Sequence, residues 1–157
     1  MDPSTLLALL LSCAPLVDVG TARALVAAES SLNPHAIGVV GGTLERQPRH
    51  RREALATAQA LSEAGWNFSV GLAQINLRNL PRLGLTLEQA FDPCTNLHAM
   101  QTLLGECLQR TQTPDDPDVA PQRRLRRALS CYYSGNFKSG FEHGYVRRVA
   151  LAAARLP

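Results

Sequence analysis

The sequence predicts a mainly α fold, α+β at most, and three observations carry that expectation. Residues of the AVILMFWYC class make up 45% of the chain, whereas aromatics make up only 5%. A core of this composition is built from Leu and Ala, which favour helices over the β-branched and aromatic surface of a sandwich. The apolar residues recur at helical spacing between Asp, Thr, Pro and Gly signals that start and stop helices. No segment reads as a clear strand. At 157 residues the chain is expected to form a single globular domain spanning 1–157, long enough to bury a sizeable core.

Residues 4–13 form a short Leu-rich helix that stops near Pro15. Its apolar run at 6–11 has the length of a signal-peptide core, but the chain opens Met1-Asp2 with no Lys or Arg before Arg23. A clear signal peptide is therefore not expected, and the run is too short for membrane insertion. Asp18 caps a second helix through residue 31, with Leu25 and Val26 facing inward, and Asn33-Pro34 ends it. Gly38, Gly41 and Gly42 mark a turn, and the basic stretch 46–52 reads as exposed. Residues 51–64 form an Ala/Leu/Glu-rich helix closed by Gly65. At 66–76 a hairpin, a turn and the start of a helix all remain open. Thr86-Leu87-Glu88-Gln89 matches a capping box. Asp92-Pro93 opens a helix to about residue 110, with Leu97, Met100, Leu104 and Leu108 on one face. The Pro- and Asp-rich stretch 111–121 is a loop. A helix runs from about 122 to 134, Gly135, Gly140 and Gly144 interrupt it, and a last helix covers about 145–156.

The four cysteines, Cys13, Cys94, Cys107 and Cys131, allow three double pairings. A continuous helix holds Cys94 and Cys107 about 20 Å apart, well beyond the roughly 7 Å limit for a disulfide. Cys13 then pairs with one of them and Cys131 with the other, or all four are thiols. No C-x-x-C pair occurs, and His35, His50, His98 and His143 are scattered, so no metal site is expected. Sixteen Lys and Arg against thirteen Asp and Glu leave a net charge of +3. That balance is too mild to imply nucleic-acid binding.

Three places carry candidate chemistry. Glu29 sits at the C-terminal turn of an otherwise apolar helix, where the helix dipole places partial negative charge. Dipole and burial together would raise its pKa and keep a proton on it, as a general acid requires. The plain alternative is a solvated glutamate at a helix end. In Gly71-Leu72-Ala73-Gln74-Ile75-Asn76, the amides of Gln74 and Asn76 would share a face if the segment is extended, suited to a neutral, amidated sugar. Otherwise they are exposed turn amides. Adjacent Tyr132 and Tyr133 close a helix and face different ways, so one of them is placed to orient a carboxyl group or to stack on a sugar. The commoner outcome is that both simply pack.

Taken in order, these elements resemble the lysozyme-like lytic transglycosylases, and more closely the small transglycosylases associated with type IV secretion systems. The segments that carry the resemblance are Glu29-Ser30-Ser31-Leu32-Asn33-Pro34, Asn67-Phe68-Ser69-Val70-Gly71-Leu72-Ala73-Gln74-Ile75-Asn76, Phe91-Asp92-Pro93-Cys94-Thr95-Asn96-Leu97, Ala128-Leu129-Ser130-Cys131-Tyr132-Tyr133-Ser134-Gly135-Asn136 and Gly144-Tyr145-Val146. The resemblance implies a single lysozyme-like domain with a substrate cleft. It also implies cleavage of the β-1,4 bond between N-acetylmuramic acid and N-acetylglucosamine, with the muramyl 6-hydroxyl as nucleophile and a 1,6-anhydro product.

By the same resemblance Glu29 is the single catalytic carboxyl, Gln74 lies near the scissile sugar, Tyr132 hydrogen-bonds the catalytic carboxyl and Tyr145 belongs to the cleft wall. Ser30, Asn76 and Tyr133 complete the expected substrate contacts. Many relatives carry methionine where Ala73 stands, so the cleft floor here would be wider, and asparagine where Tyr133 stands, so an amide for contact with an N-acetyl group would be missing. No second acid lies in 71–76 or 132–136, which fits one-carboxyl chemistry better than a two-carboxylate hydrolase. The basic segments 46–52 and 123–127 would attract peptide-stem carboxylates or simply be solvated. The implied partners are peptidoglycan strands and secretion-system components in the periplasm, with no cofactor. A peptidoglycan-binding scaffold without turnover is the alternative, and a nucleic-acid binder the weakest reading.

Overall fold

The computed structural model describes residues 1–112 and 120–155. Most of the loop expected at 111–121, and the end of the helix expected at 145–156, lie outside the described residues. Among the described residues are eight α-helices, one 3-10 helix and a three-stranded antiparallel sheet, so the fold is mainly α. The chain forms two compact units, residues 1–100 and 101–157.

In the first unit, α1 (Pro3–Cys13) begins with Pro3 at its first positions while the Asp2 carboxylate accepts the Thr5 N–H at 2.9 Å. Asp18 caps α2 (Val19–Ser30) in the same way, accepting from the Thr21 N–H at 2.8 Å. This helix buries Ala22, Ala24, Leu25 and Val26, and α1, which buries Leu6 and Leu10, packs on it. Helix α3 (Arg51–Glu63) packs on α4 (Leu87–Ala90), which has the full reciprocal capping box of Thr86 and Gln89. Asp92 caps α5 (Pro93–Arg110) through the Thr95 N–H and hydroxyl, both at 2.8 Å. The bond from the Thr95 backbone N–H is the main cause holding the Asp92 carboxyl below the usual carboxylate range.

The sheet is the main departure from the sequence-based expectation. β1 (Ile37–Val39) pairs antiparallel with β2 (Phe68–Val70), Ile37 opposite Val70, and β2 pairs with β3 (Ile75–Asn76), Val70 opposite Ile75. Of the alternatives open at 66–76, the hairpin is the one that forms. Strands of two or three residues are too short for alternation to emerge from the sequence. Gly38 lies in β1 rather than in a turn. A Cβ there would come within 2.6 Å of the Gln74 Oε1, so the bare backbone is what lets that amide lie against the strand.

The second unit contains the end of α5 together with α6 (Pro121–Ser134), α7 (Ser139–Glu142) and α8 (Tyr145–Ala154), the last three packed on one another. Gly135 ends α6 and Gly144 precedes α8. Gly140 does not break a helix but sits inside α7. Its N–H donates to the Ser130 hydroxyl at 3.0 Å, and a Cβ on it would lie 2.5 Å from the Ser130 Cα. Ser130 in turn donates to the Asn136 carbonyl at 2.9 Å.

The disulfides are Cys13–Cys94 in the first unit and Cys107–Cys131 in the second. The excluded Cys94–Cys107 pair is absent, and of the two remaining pairings the structure selects this one. Cys107–Cys131 joins α5 to α6 one residue before Tyr132.

Candidate active site

Glu29 occupies the last turn of α2, half-buried, with no basic side chain in that turn to offset the helix's partial negative end. Ser30 follows it, and its hydroxyl donates back to the Val26 carbonyl at 3.2 Å. Immediately afterwards Ser31 and Leu32 both adopt left-handed backbone, at φ 51° and 65°. Neither is Gly or Asn, and each such residue costs on the order of 1 kcal/mol. The two left-handed residues begin two positions beyond the carboxyl-bearing residue. Asn33 then accepts the His35 N–H at 2.9 Å and steadies the exit into β1. No local signal in Ser31-Leu32 announces this strain.

Gln74 and Asn76 lie at the β2–β3 hairpin in the same unit. The segment 71–74 is a turn, not a strand, and Gln74 itself is left-handed at φ 51°. The two amides therefore do not alternate along one extended face. Gln74 Nε2 donates to the Ala36 and Gly71 carbonyls at 3.1 and 2.9 Å, tying the turn to the segment that leaves α2. Asn76 donates to the Ser69 hydroxyl at 3.2 Å and accepts the Arg78 N–H at 3.0 Å, which caps the 3-10 helix Leu77–Asn79.

Sequence reasoning missed the residue that holds this hairpin. Asn96, on α5 and 1% exposed, accepts the Ala73 N–H at 2.8 Å. Its amide nitrogen donates to the Val70 and Ala90 carbonyls at 3.0 and 2.8 Å. Gly71, at φ 79°, makes room for it, since a Cβ there would lie 2.3 Å from the Asn96 Nδ2. Besides the place of Asn96 in the segment 91–97 that carries the family resemblance, its signal was a polar side chain beside Leu97 on the apolar face of α5.

The second unit holds the tyrosines. Tyr132 is half-buried on α6. Tyr133 is 41% exposed, and its ring stacks on Tyr145 with centroids 4.7 Å apart and planes at 16°. Tyr145 is 1% exposed, so it backs Tyr133 instead of presenting an open face. The Tyr133 hydroxyl is hydrogen-bonded to His143 Nδ1 at 3.2 Å, a partner not anticipated from the scattered histidines. Among the described residues no group of three or more His, Cys, Asp and Glu side chains is placed to hold a metal ion, and no helix is long and apolar enough to cross a membrane.

The profile of the transglycosylase SLT domain matches residues 11–150, nearly the whole chain. The chain belongs to the transglycosylase SLT family. It is 48% identical over 148 residues to the type IV secretion system protein virB1 of Brucella abortus biovar 1 (strain 9-941), covering 90% of this chain and 60% of that protein. It is 40% identical over 146 residues to protein virB1 of Agrobacterium fabrum, covering 92% of this chain and 57% of the relative. A further virB1 protein, from Rhizobium radiobacter, is 38% identical over 146 residues, covering 92% of this chain and 59% of that protein. The chain thus spans about three fifths of the length of these relatives. No solved structure matches it. The mainly α architecture with one small sheet accords with the lysozyme-like fold expected of an SLT domain.

Proposed function

We propose that this chain is a peptidoglycan lytic transglycosylase, one lysozyme-like domain over 1–157, that opens the wall locally for a type IV secretion system. The observation that carries the reading is Glu29. It is a half-buried carboxyl at a helix end in a chain matched by the SLT profile, followed two positions on by a strained turn. In the proposed reaction Glu29 donates its proton to the glycosidic oxygen as the C1–O bond breaks. The carboxylate then takes the proton of the muramyl 6-hydroxyl as that oxygen bonds to C1. Protons balance, and no water is consumed.

To contacts with the glycan strand we assign Ser30, Gln74 and Asn76 of the first unit and, of the second, Tyr132 and Tyr133, with Tyr145 backing Tyr133. The virB1 names of the relatives support a secretion-system setting, and with it a periplasmic place of action and envelope partners.

The test is mass spectrometry of the soluble products released from purified sacculi by the wild type and by Glu29→Gln. Products with 1,6-anhydro ends, lost in the variant, are expected. Reducing ends would show hydrolysis and sink the one-carboxyl mechanism. Retention on the wall without products would leave a binding scaffold.

A further inference from the structure

Tyr133, Tyr145, His143 and Arg148 form one connected cluster on α6, α8 and the residues between α7 and α8. Tyr133 is covered on one face by the buried Tyr145 ring. The His143 ring meets it edge-on, with centroids 5.8 Å apart and planes at 88°, and holds its hydroxyl. Arg148 lies 5.5 Å from the Tyr145 centroid and donates to the His143 carbonyl at 3.4 Å, so it braces both supports.

We propose that Tyr133 is a stacking platform for one pyranose ring of a glycan strand, and that His143 is the residue that positions it. The inference rests on the glycan-cleaving reading above and names a part of that site. With one face on Tyr145 and its hydroxyl engaged by His143, Tyr133, 41% exposed, offers a ligand chiefly the part of its ring that stays exposed. That surface is flat and apolar, and its complement is the C–H face of a sugar ring, which is also flat and apolar. A carboxylate or phosphate gains little from it. An exposed tyrosine ordinarily loses rotamer freedom when a ligand orders it. Here the bond to His143 and the stack on Tyr145 order the ring in advance, so the cost falls on folding and not on binding.

The experiment is a titration of the full chain with a soluble β-1,4-linked N-acetylglucosamine tetramer, followed by calorimetry, with a thermal melt of each variant to confirm folding. Tyr133→Ala is expected to weaken binding roughly three- to tenfold. Tyr133→Phe and His143→Ala should each weaken it about two- to threefold, as loss of one ordering hydrogen bond implies. The double variant should be no weaker than the worse single, because both changes remove the same bond. His143→Asn, which can place a side-chain amide near the Nδ1 position, should restore binding, as a purely structural role would not require.

Wild-type affinity in Tyr133→Ala overturns the proposal, as do additive losses in the double variant or no binding of the tetramer by the wild type. Release of anhydro products by a protein that fails this titration keeps the enzymatic reading and removes the platform. Normal titration results with no products do the reverse.

Discussion

Replacing Asn96 with alanine removes three hydrogen bonds made by one buried side chain. The Ala73 N–H loses the Oδ1 acceptor, and the Val70 and Ala90 carbonyls lose the Nδ2 donor, all at 2.8–3.0 Å. At about 1 kcal/mol net for each bond, with a further contribution for the space left behind, the loss amounts to roughly 3–4 kcal/mol. That is a large fraction of the 5–15 kcal/mol typical of a folded protein. For a chain of this size it lowers Tm by roughly 10 °C. Urea unfolding followed by circular dichroism, with both disulfides intact, measures it directly.

The same reasoning predicts coupling with Gly71. In the wild type Gly71→Ala meets both the Asn96 Nδ2 at 2.3 Å and an unfavourable φ of 79°. In the Asn96→Ala background the clash is gone and the backbone cost remains, on the order of 1 kcal/mol, together with a tight approach to the Ala90 carbonyl at 3.2 Å. Gly71→Ala should therefore be milder there by at least about 1 kcal/mol. A loss under about 1 kcal/mol for Asn96→Ala, or equal Gly71→Ala costs in both backgrounds, would refute the clamp.

Other expected outcomes follow from single features. The Cys13–Cys94 bridge spans a sequence separation of 81 and Cys107–Cys131 one of 24. Loop-closure entropy then predicts that the paired Ser variants lose about 4.5 and about 3.5 kcal/mol respectively, in that order by urea denaturation. Gly140→Ala forces α7 away from the Ser130 backbone, an overpacking cost of about 1–3 kcal/mol that a thermal melt would register. The Glu53 carboxyl is drawn from 4.5 down to about 2, first by Arg46 and then by the Arg49 N–H. Because this pKa is depressed on folding, the contribution is complete above pH 4.5 and fades as pH falls towards 2. Stability curves of wild type and Glu53→Gln should accordingly converge in that acid window, and curves that stay parallel would contradict the assignment.

How much of this was legible in the sequence depends on the range of the interaction. Asp18, Thr86 and Asp92 start helices through bonds to residues three positions on. Such bonds close within one turn, so composition and spacing reveal them. The exclusion of Cys94–Cys107 was equally local, because a continuous helix has a known rise. Glu29 stood out because an apolar helix ends in an acid there, and the family motifs around it were contiguous.

What only the tertiary structure decided are the arrangements whose partners lie far apart along the chain or whose strain has no compositional mark. The choice of Cys13–Cys94 over Cys13–Cys107 requires α1 to reach the start of α5, which no periodicity encodes. The sheet needs β1 and β2, about thirty residues apart, to meet before either short strand has a reason to be extended. Asn96 reads as a stray polar group until the hairpin folds over it, and Gly38 reads as a turn until Gln74 needs its space. His143 reads as one of four scattered histidines until Tyr133 reaches it. Ser31 and Leu32 hold left-handed backbone that neither side chain favours, and the surrounding fold must supply that energy. Local bonds are settled by neighbours in sequence; these contacts exist only once packing has brought their partners together.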